Sequence, residues 1–346
     1  MRDVICDKAC SSRPGADSAS KSSSRLVQVG IYGANRILQA KIPISKTEKS
    51  KTIELIGRSW AADATAFVIP ELDIALDAGY PVIGKKMGTI LLSHTHTDHV
   101  HHLTHMKSRT KPPLVLLPAE SVKSVERFID VAQMMTSNLA PEEYQGIPWD
   151  SSLRFQGVRA GERVVLNTKK GLVCDIVQCD HGVPCVGFVV SQTKSSLKNE
   201  FKGLPGKEIG KLRKDGVAVT EVIEEKIFCF LGDTTTEIFS RDTDCTETIL
   251  SCPTVIIECS FLTDEHADHA ERCKHVLWSK LKPFVLEHPD TTFVLTHFSR
   301  RWTARQVAEI LNDAPSNVVP WIPSDTGLYC SPVGEAGEIQ EIYSHS

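Results

Sequence analysis

From about residue 53 to residue 312, short apolar runs alternate with polar, helix-compatible stretches, and this alternation limits the chain to few architectures. Runs rich in Val, Ile, Leu and Phe stand at 66–69, 73–76, 89–92, 114–117, 172–179, 187–191, 226–231, 254–257 and 292–296. They have the length and composition of strands. Helices are expected at 121–135, 264–287 and 303–312. Strands and helices in this order, without an internal repeat, predict one long α/β domain. The 346 residues are 41% hydrophobic and 24% charged, with a net charge of −4. That balance excludes wholesale disorder and fibrous repeats, and a chain this long can bury a core without disulfides. No apolar run approaches the roughly 18 residues that cross a bilayer, so no membrane span is expected. Eleven cysteines without a CxxC pair read as reduced, mostly buried thiols of a cytosolic or nuclear protein. Residues 1–50, with a Ser-rich stretch at 11–25 and a Lys-rich stretch at 41–51, read as a flexible tail. No apolar segment follows Met1, which argues against a secretory signal, and Asp3, Asp7 and Asp17 disfavour a mitochondrial presequence.

The chemistry is concentrated after the run at 89–92, in Ser93-His94-Thr95-His96-Thr97-Asp98-His99. In extended backbone, alternate residues share a face. His94, His96 and Asp98 are therefore expected to converge, while His99 enters the next turn and faces a neighbouring position. Imidazole and carboxylate together suit Zn²⁺ and related cations. Three more candidates end predicted strands: His181 after 172–179, Asp233 after 226–231 and His297 after 292–296. The carboxyl edge of an α/β sheet is where sites are usually built. Five His and two Asp suffice for two metals bridged by one carboxylate, and such pairs suit hydrolysis.

These strings resemble the metallo-β-lactamase superfamily, and within it the short-form tRNase Z (ribonuclease Z) enzymes of plant-like type. The resemblance runs from about residue 53 to 305 and rests on SHTHTDH (93–99), DHGVPCVG (180–187), GLPGKEIGKLRKDGVAVT (203–220), FLGDTT (230–235), ECSFL (258–262) and LTHFSRRW (295–302), with LDAG (76–79) closing an expected first strand pair. It implies an αββα sandwich, two mixed sheets flanked by helices, over residues 51–330, with a basic insertion at about 194–225 and a tail at 331–346. It also implies two Zn²⁺ per subunit, with Mn²⁺ as a substitute. His94, His96 and His181 would hold one, Asp98, His99 and His297 the other, and Asp233 would bridge them. Glu258 would hold His275, the proton donor to the leaving group, and Asp98 would also orient or deprotonate the water. The implied reaction is hydroxide attack on the phosphorus just 3′ of the discriminator nucleotide of a precursor tRNA, leaving a tRNA 3′-hydroxyl. A homodimer is implied, with neither organic cofactor nor membrane partner; the compartment expected is cytoplasm or nucleus, with organellar import left open. The alternative within the superfamily is a dinuclear-zinc phosphodiesterase for a small or different nucleic-acid substrate.

RNA would be gripped by local patches, since the whole chain is acidic. Between Lys194 and Lys214 seven basic residues face two acidic ones, and Lys198, Lys202, Lys207, Lys211, Arg213 and Lys214 are the expected phosphate contacts. Arg301, beside His297, is a further one. Only 52 residues separate His181 from Asp233, which predicts a reduced substrate arm. His101, His102 and His105 are expected at the surface or behind the ligands, His266 and His269 on an exposed helix face, and Asp77 either hydrogen-bonded within the fold or supporting a ligand histidine. The resemblance leads one to expect glycine before the proton-donating histidine, where this chain has Lys274.

Overall fold

A computed structural model describes residues 29–32, 37–48, 50–82, 87–140, 142, 152–240 and 243–322. The tail at 331–346 and most of the one at 1–50 lie outside them. The first sheet has eight strands in sequence order: β1 (Val29–Tyr32), β2 (Ile37–Pro43), β3 (Thr52–Trp60), β4 (Ala64–Ile69), β5 (Ile74–Leu76), β6 (Thr89–Leu91), β7 (Leu114–Pro118) and β8 (Arg154–Val158). Its neighbours are antiparallel up to β5 and parallel thereafter. Helices α1 (Thr97–Val100) and α2 (Val122–Ser137) follow β6 and β7. The second sheet repeats the scheme with seven strands: β9 (Arg163–Asn167), β10 (Leu172–Gln178), β11 (Val186–Leu197), β12 (Thr220–Phe230), β13 (Thr254–Glu258), β14 (Thr292–Thr296) and β15 (Val318–Pro320). Here β9 to β12 are antiparallel and β12 to β15 parallel. Helix α3 (Gly206–Lys214) lies between β11 and β12, α4 (Thr243–Leu250) before β13, α5 (Ala267–Cys273) and α6 (Trp278–Glu287) before β14, and α7 (Ala304–Ile310) before β15.

The sheets pack face to face because their strands are apolar on both faces. Phe67, Leu76, Leu91 and Leu116 of the first sheet meet Phe188, Phe228, Ile256 and Val294 of the second in the central layer. Their neighbours point outward: Ala66, Ala75, Ile90 and Val115 join Val125 and Ile129 of α2, whereas Val255, Ile257, Phe293 and Leu295 join Leu281 and Val285 of α6 and Val307 of α7. The period of two sends alternate residues to the two layers. The result is the expected αββα sandwich.

Several expectations need correction. The presumed tail ends earlier than residue 50, because β2 pairs with β3 from Leu38↔Gly57 to Pro43↔Thr52. Leu38, Ala40 and Ile42 face the central core, an alternation masked by the Ser- and Lys-rich flanks. The single helix expected over 264–287 is broken: α5 ends in left-handed Lys274, and Leu277 bridges to Phe261 before α6 begins. Strands β1, β2, β3, β8, β9 and β15 are additional to the apolar runs read from the sequence. The basic insertion is a two-stranded ribbon, β11 with β12, paired out to Leu197↔Thr220 and tipped by α3. Its third neighbour, β10, stops at Leu172↔Gln192, so the ribbon continues beyond the sheet.

Phe67 is fully buried between the sheets, with its ring 5.4 Å from that of Trp321 in an edge-on contact. Phe67→Ala is expected to cost about 3–5 kcal/mol in denaturant unfolding, whereas Val222→Ala, on the exposed ribbon, should stay within about 0.5 kcal/mol.

Candidate metal centre

The candidate residues sit at strand ends on one rim of the sandwich. Asp77 directly follows β5, the His94–His99 motif follows β6, His181 lies in the turn between β10 and β11, and Asp233 follows β12. Glu258 ends β13, and His297 directly follows β14. His96 is still extended, at φ −61° and ψ 148°. Asp98 and His99 then belong to the first turn of α1, so the extended geometry expected through Asp98 stops two residues earlier. The turn places these adjacent residues in the same half of the site.

Among the described residues three overlapping groups of side chains converge closely enough to hold a metal ion: His94, His96, His181 and Asp233; Asp98, His99 and His297; and Asp233, His275 and His297, which shares its members with the first two apart from His275. In the first, His96 Nδ1 lies 3.2 Å from both His94 Nε2 and His181 Nε2. In the second, His297 Nε2 lies 3.1 Å from His99 Nε2 and 3.3 Å from Asp98 Oδ2. Asp233 stands between them. Its Oδ2 is 3.6 Å from His94 Nε2 and 3.5 Å from His297 Nε2, and its Oδ1 is 3.6 Å from His99 Nε2.

Histidine nitrogens this close are informative because their outer partners fix which nitrogen carries the proton. The buried Asp77 carboxylate accepts from the Ser93 amide at 2.7 Å, the Ser93 hydroxyl at 3.0 Å and His99 Nδ1 at 2.7 Å. With its proton spent on Asp77, Ser93 Oγ accepts from His94 Nδ1 at 3.0 Å. The carbonyl of Lys274 accepts from His181 Nδ1 at 3.2 Å. Ser260 Oγ has two acceptors for its proton, Glu258 Oε2 and the His297 carbonyl, both at 2.8 Å, and so accepts from His297 Nδ1 at 3.1 Å. Four histidines thus aim an Nε2 lone pair at the cluster, a donor set that fits borderline divalent cations.

The field agrees. Burial disfavours charge on His99, yet Asp233, Asp77 and Asp98 raise its pKa to about 9. A cation would answer the same carboxylates in place of that proton. Burial opposes ionisation of Asp98 too, but the His297 hydrogen bond and the charge of His99 bring it to about 2. Asp233 lies well below the carboxylate range, against burial, because of His297, His99 and His94. Burial holds His94 well below the ordinary imidazole value and lowers His96 and His181.

Next to the cluster, His275 Nδ1 donates to Glu258 Oε1 at 2.6 Å and lies 3.9 Å from Asp233 Oδ2. Burial opposes its charge, but Glu258 and then Asp233 raise it to about 9. Glu258 also accepts from the Thr234 amide at 3.1 Å and the Ser260 amide at 3.0 Å. It is therefore a hydrogen-bond centre as well as the end of a buried strand. Ser93, Ser260 and Thr234 were not singled out by sequence reasoning. Only their adjacency to motif residues could have flagged them.

The backbone is forced here. Asp77, Lys274 and His297 adopt positive φ of 55°, 54° and 58°, conformations that cost L-residues energy and cluster at functional sites. The left-handed turn at Lys274 explains why glycine would suit that position. Gly79 has no room for a side chain, since a Cβ would lie 1.7 Å from the Asp98 carbonyl oxygen.

The remaining candidates are dispersed. Lys202, Lys207, Lys211, Arg213 and Lys214 are exposed at the ribbon tip, with Lys198 half-buried at its start. Arg301 lies 4.9 Å over the Phe261 ring and donates to His269 Nδ1 at 3.2 Å. His102 and His105 stack on each other at 4.9 Å. His101 lines an open cleft of about 720 Å³ with Ala62, Asp63, His96, Thr97 and Asp98. His266 packs 5.5 Å from Trp302 and His269 5.2 Å from Phe261, so neither is a plain solvated position.

No model of a protein family matches the chain. It is similar to tRNase Z TRZ1 of Arabidopsis thaliana, 27% identical over 280 residues that cover 78% of this chain and 95% of the relative. It is also similar to the chloroplastic tRNase Z TRZ2 of the same plant, 25% identical over 76% of this chain and 72% of that one. A nuclear ribonuclease Z of Triticum aestivum is 28% identical over 48% of this chain and 91% of its own length. The resemblance carried by the motifs extends to overall sequence.

Asp77→Ala is expected to weaken binding of Zn²⁺ by about 10–100-fold, because two histidines of the cluster, His94 through Ser93 and His99 directly, lose the group that orients them. Competition with a chromophoric chelator measures this; unchanged affinity would contradict the tautomer scheme.

Proposed function

We propose that this chain is a metal-dependent endoribonuclease that removes the 3′ trailer from precursor tRNA, as the names of its relatives suggest. The observation that carries the reading is the convergence of His94, His96, Asp98, His99, His181, Asp233 and His297 in two groups joined by one carboxylate. Two Zn²⁺ per subunit, with Mn²⁺ as a substitute, are the proposed occupants. A bound pair of such cations supplies ionised water at neutral pH and neutralises phosphodiester oxygens.

The protein's own groups handle the protons. His275 has its Nδ1 bound to Glu258, which leaves Nε2 to give a proton to the departing ribose oxygen. Against the effect of burial, the Glu258 carboxylate raises the pKa of His275, which favours the protonated form that a general acid requires. Asp98 accepts from the Ala62 amide at 2.9 Å, which fixes a carboxylate that stays ionised where it can orient the attacking water. The ribbon tip, with Lys198, Lys202, Lys207, Lys211, Arg213 and Lys214, offers phosphate contacts away from the reacting centre, and Arg301 offers one beside it. A homodimer and a cytoplasmic or nuclear location complete the proposal.

One observation favours the second reading, a phosphodiesterase for a smaller substrate. Over 194–225 the seven basic residues are nearly matched by six acidic ones, Glu200, Glu208, Asp215, Glu221, Glu224 and Glu225. Lys194 pairs with Glu225 at 2.6 Å. This near balance weakens the net attraction of the ribbon for RNA.

Purified protein given a 3′-extended tRNA should cleave it after the discriminator nucleotide, and a chelator should abolish cleavage. Hydrolysis of bis(4-nitrophenyl) phosphate with no tRNA cleavage would favour the second reading. His275→Ala should lower kcat by about 10²–10⁴-fold while metal content stays at the wild-type level. Full activity in that variant would remove the proton-donor assignment and leave the metal ligands in place.

A further inference from the structure

Lys274 stands between the end of α5 and His275, and its two ends touch the neighbouring loop at separate points. Its carbonyl accepts from Nδ1 of His181 at 3.2 Å. Its ammonium donates to Oδ1 of Asp180, the residue before that histidine, at 3.0 Å. Asp180 Oδ2 in turn accepts from the hydroxyl of Thr235 at 2.9 Å, two residues past Asp233. The peptide carrying this carbonyl is left-handed, with φ 54° and ψ 57° at Lys274, a conformation that opposes any side chain.

We propose that Lys274 is a positioning residue: its ion pair with Asp180 holds the left-handed turn whose carbonyl orients the metal ligand His181. The inference rests on the reading of His181 as a ligand. It needs no titration of Lys274, only that its ammonium reach Asp180. Both partners of the pair and both groups they position lie within the span 180–275, so a failure of the strut shifts His181 relative to His275, whose rings are now 5.1 Å apart.

The test is Zn²⁺ affinity of the full chain, by competition with a chromophoric chelator, alongside thermal unfolding of the metal-free protein. Lys274→Met keeps the strain and loses the pair, and should weaken Zn²⁺ binding roughly tenfold, the low end for outer partners of a ligand. Asp180→Asn should do the same, and the double variant should lose no more than either single one. Lys274→Arg should retain affinity. Lys274→Gly should bind within about threefold of wild type, because glycine takes the turn without help. Equal losses for the Gly and Met variants, or additive losses for Met and Asn, would overturn the proposal, as would a lower melting temperature at unchanged affinity. A wild-type chain that takes up no Zn²⁺ would instead remove the metal reading itself.

Discussion

A carboxylate sealed away from water is tolerable only when donors meet its oxygens, and two such groups organise this protein. Asp77, at the end of β5, takes two hydrogen bonds from Ser93 and one from His99. Glu258, at the end of β13, takes two from Ser260 and one each from Thr234 and His275. In each half of the sandwich, then, a buried acid holds a serine, the serine holds a histidine of the cluster, and the acid holds a second histidine directly. The arrangement follows from the repeated scheme of the sheets, antiparallel strands followed by parallel ones, which brings matching strand ends to one rim.

Packing seven metal-seeking side chains into that rim works against folding, since imidazoles and carboxylates must leave water and three residues must take unfavourable backbone. The two-sided burial of the parallel strands offsets this. The central layer and both outer layers are built from large aliphatic and aromatic side chains, so the strand ends are fixed by packing that takes no part in the chemistry. A close approach between the halves is also needed: a Cβ on Gly232 would lie 2.5 Å from the Cβ of Ser93. The glycine lets Asp233 of the second sheet reach the histidines of the first.

The ribbon of β11 and β12 divides the molecule differently. Near the sheet its residues belong to the core, where Phe188 pairs with Phe230. Past Gln192 the same strands carry Lys194, Glu224 and Glu225 in ion pairs, Lys194 with Glu225 and Glu224 with Arg163 of β9. Charge is thereby sorted along the ribbon. Glu221, Glu224 and Glu225 lie on the stem, and most of the lysines gather on and around α3 beside Glu200, Glu208 and Asp215.

The sequence by itself determined much of this. The order of apolar runs predicted an α/β chain, and the seven candidate ligands were legible because each follows a predicted strand. Asp77 was legible as a hydrogen-bonding residue, within the fold or to a histidine, and the structure shows both. The partition of the cluster came only with the family resemblance; the local pattern by itself grouped Asp98 with His94 and His96, because it could not show that Asp98 and His99 leave extended backbone for a helical turn. Nor did it locate the break at Lys274: no glycine or proline stands there, the one proline of the segment, Pro283, lies inside α6, and the left-handed stop coincides with contacts to the His181 loop and Phe261. The strand at 37–43 was hidden for the same reason: its alternation is brief and flanked by polar residues, and burial against β3 decides it. Strand ends and residue types are local properties, written in short windows of sequence. Tautomers, bridging and the meeting of the two halves depend on side chains up to some two hundred positions apart, such as His99 and His297, and only the packed sheets bring those together.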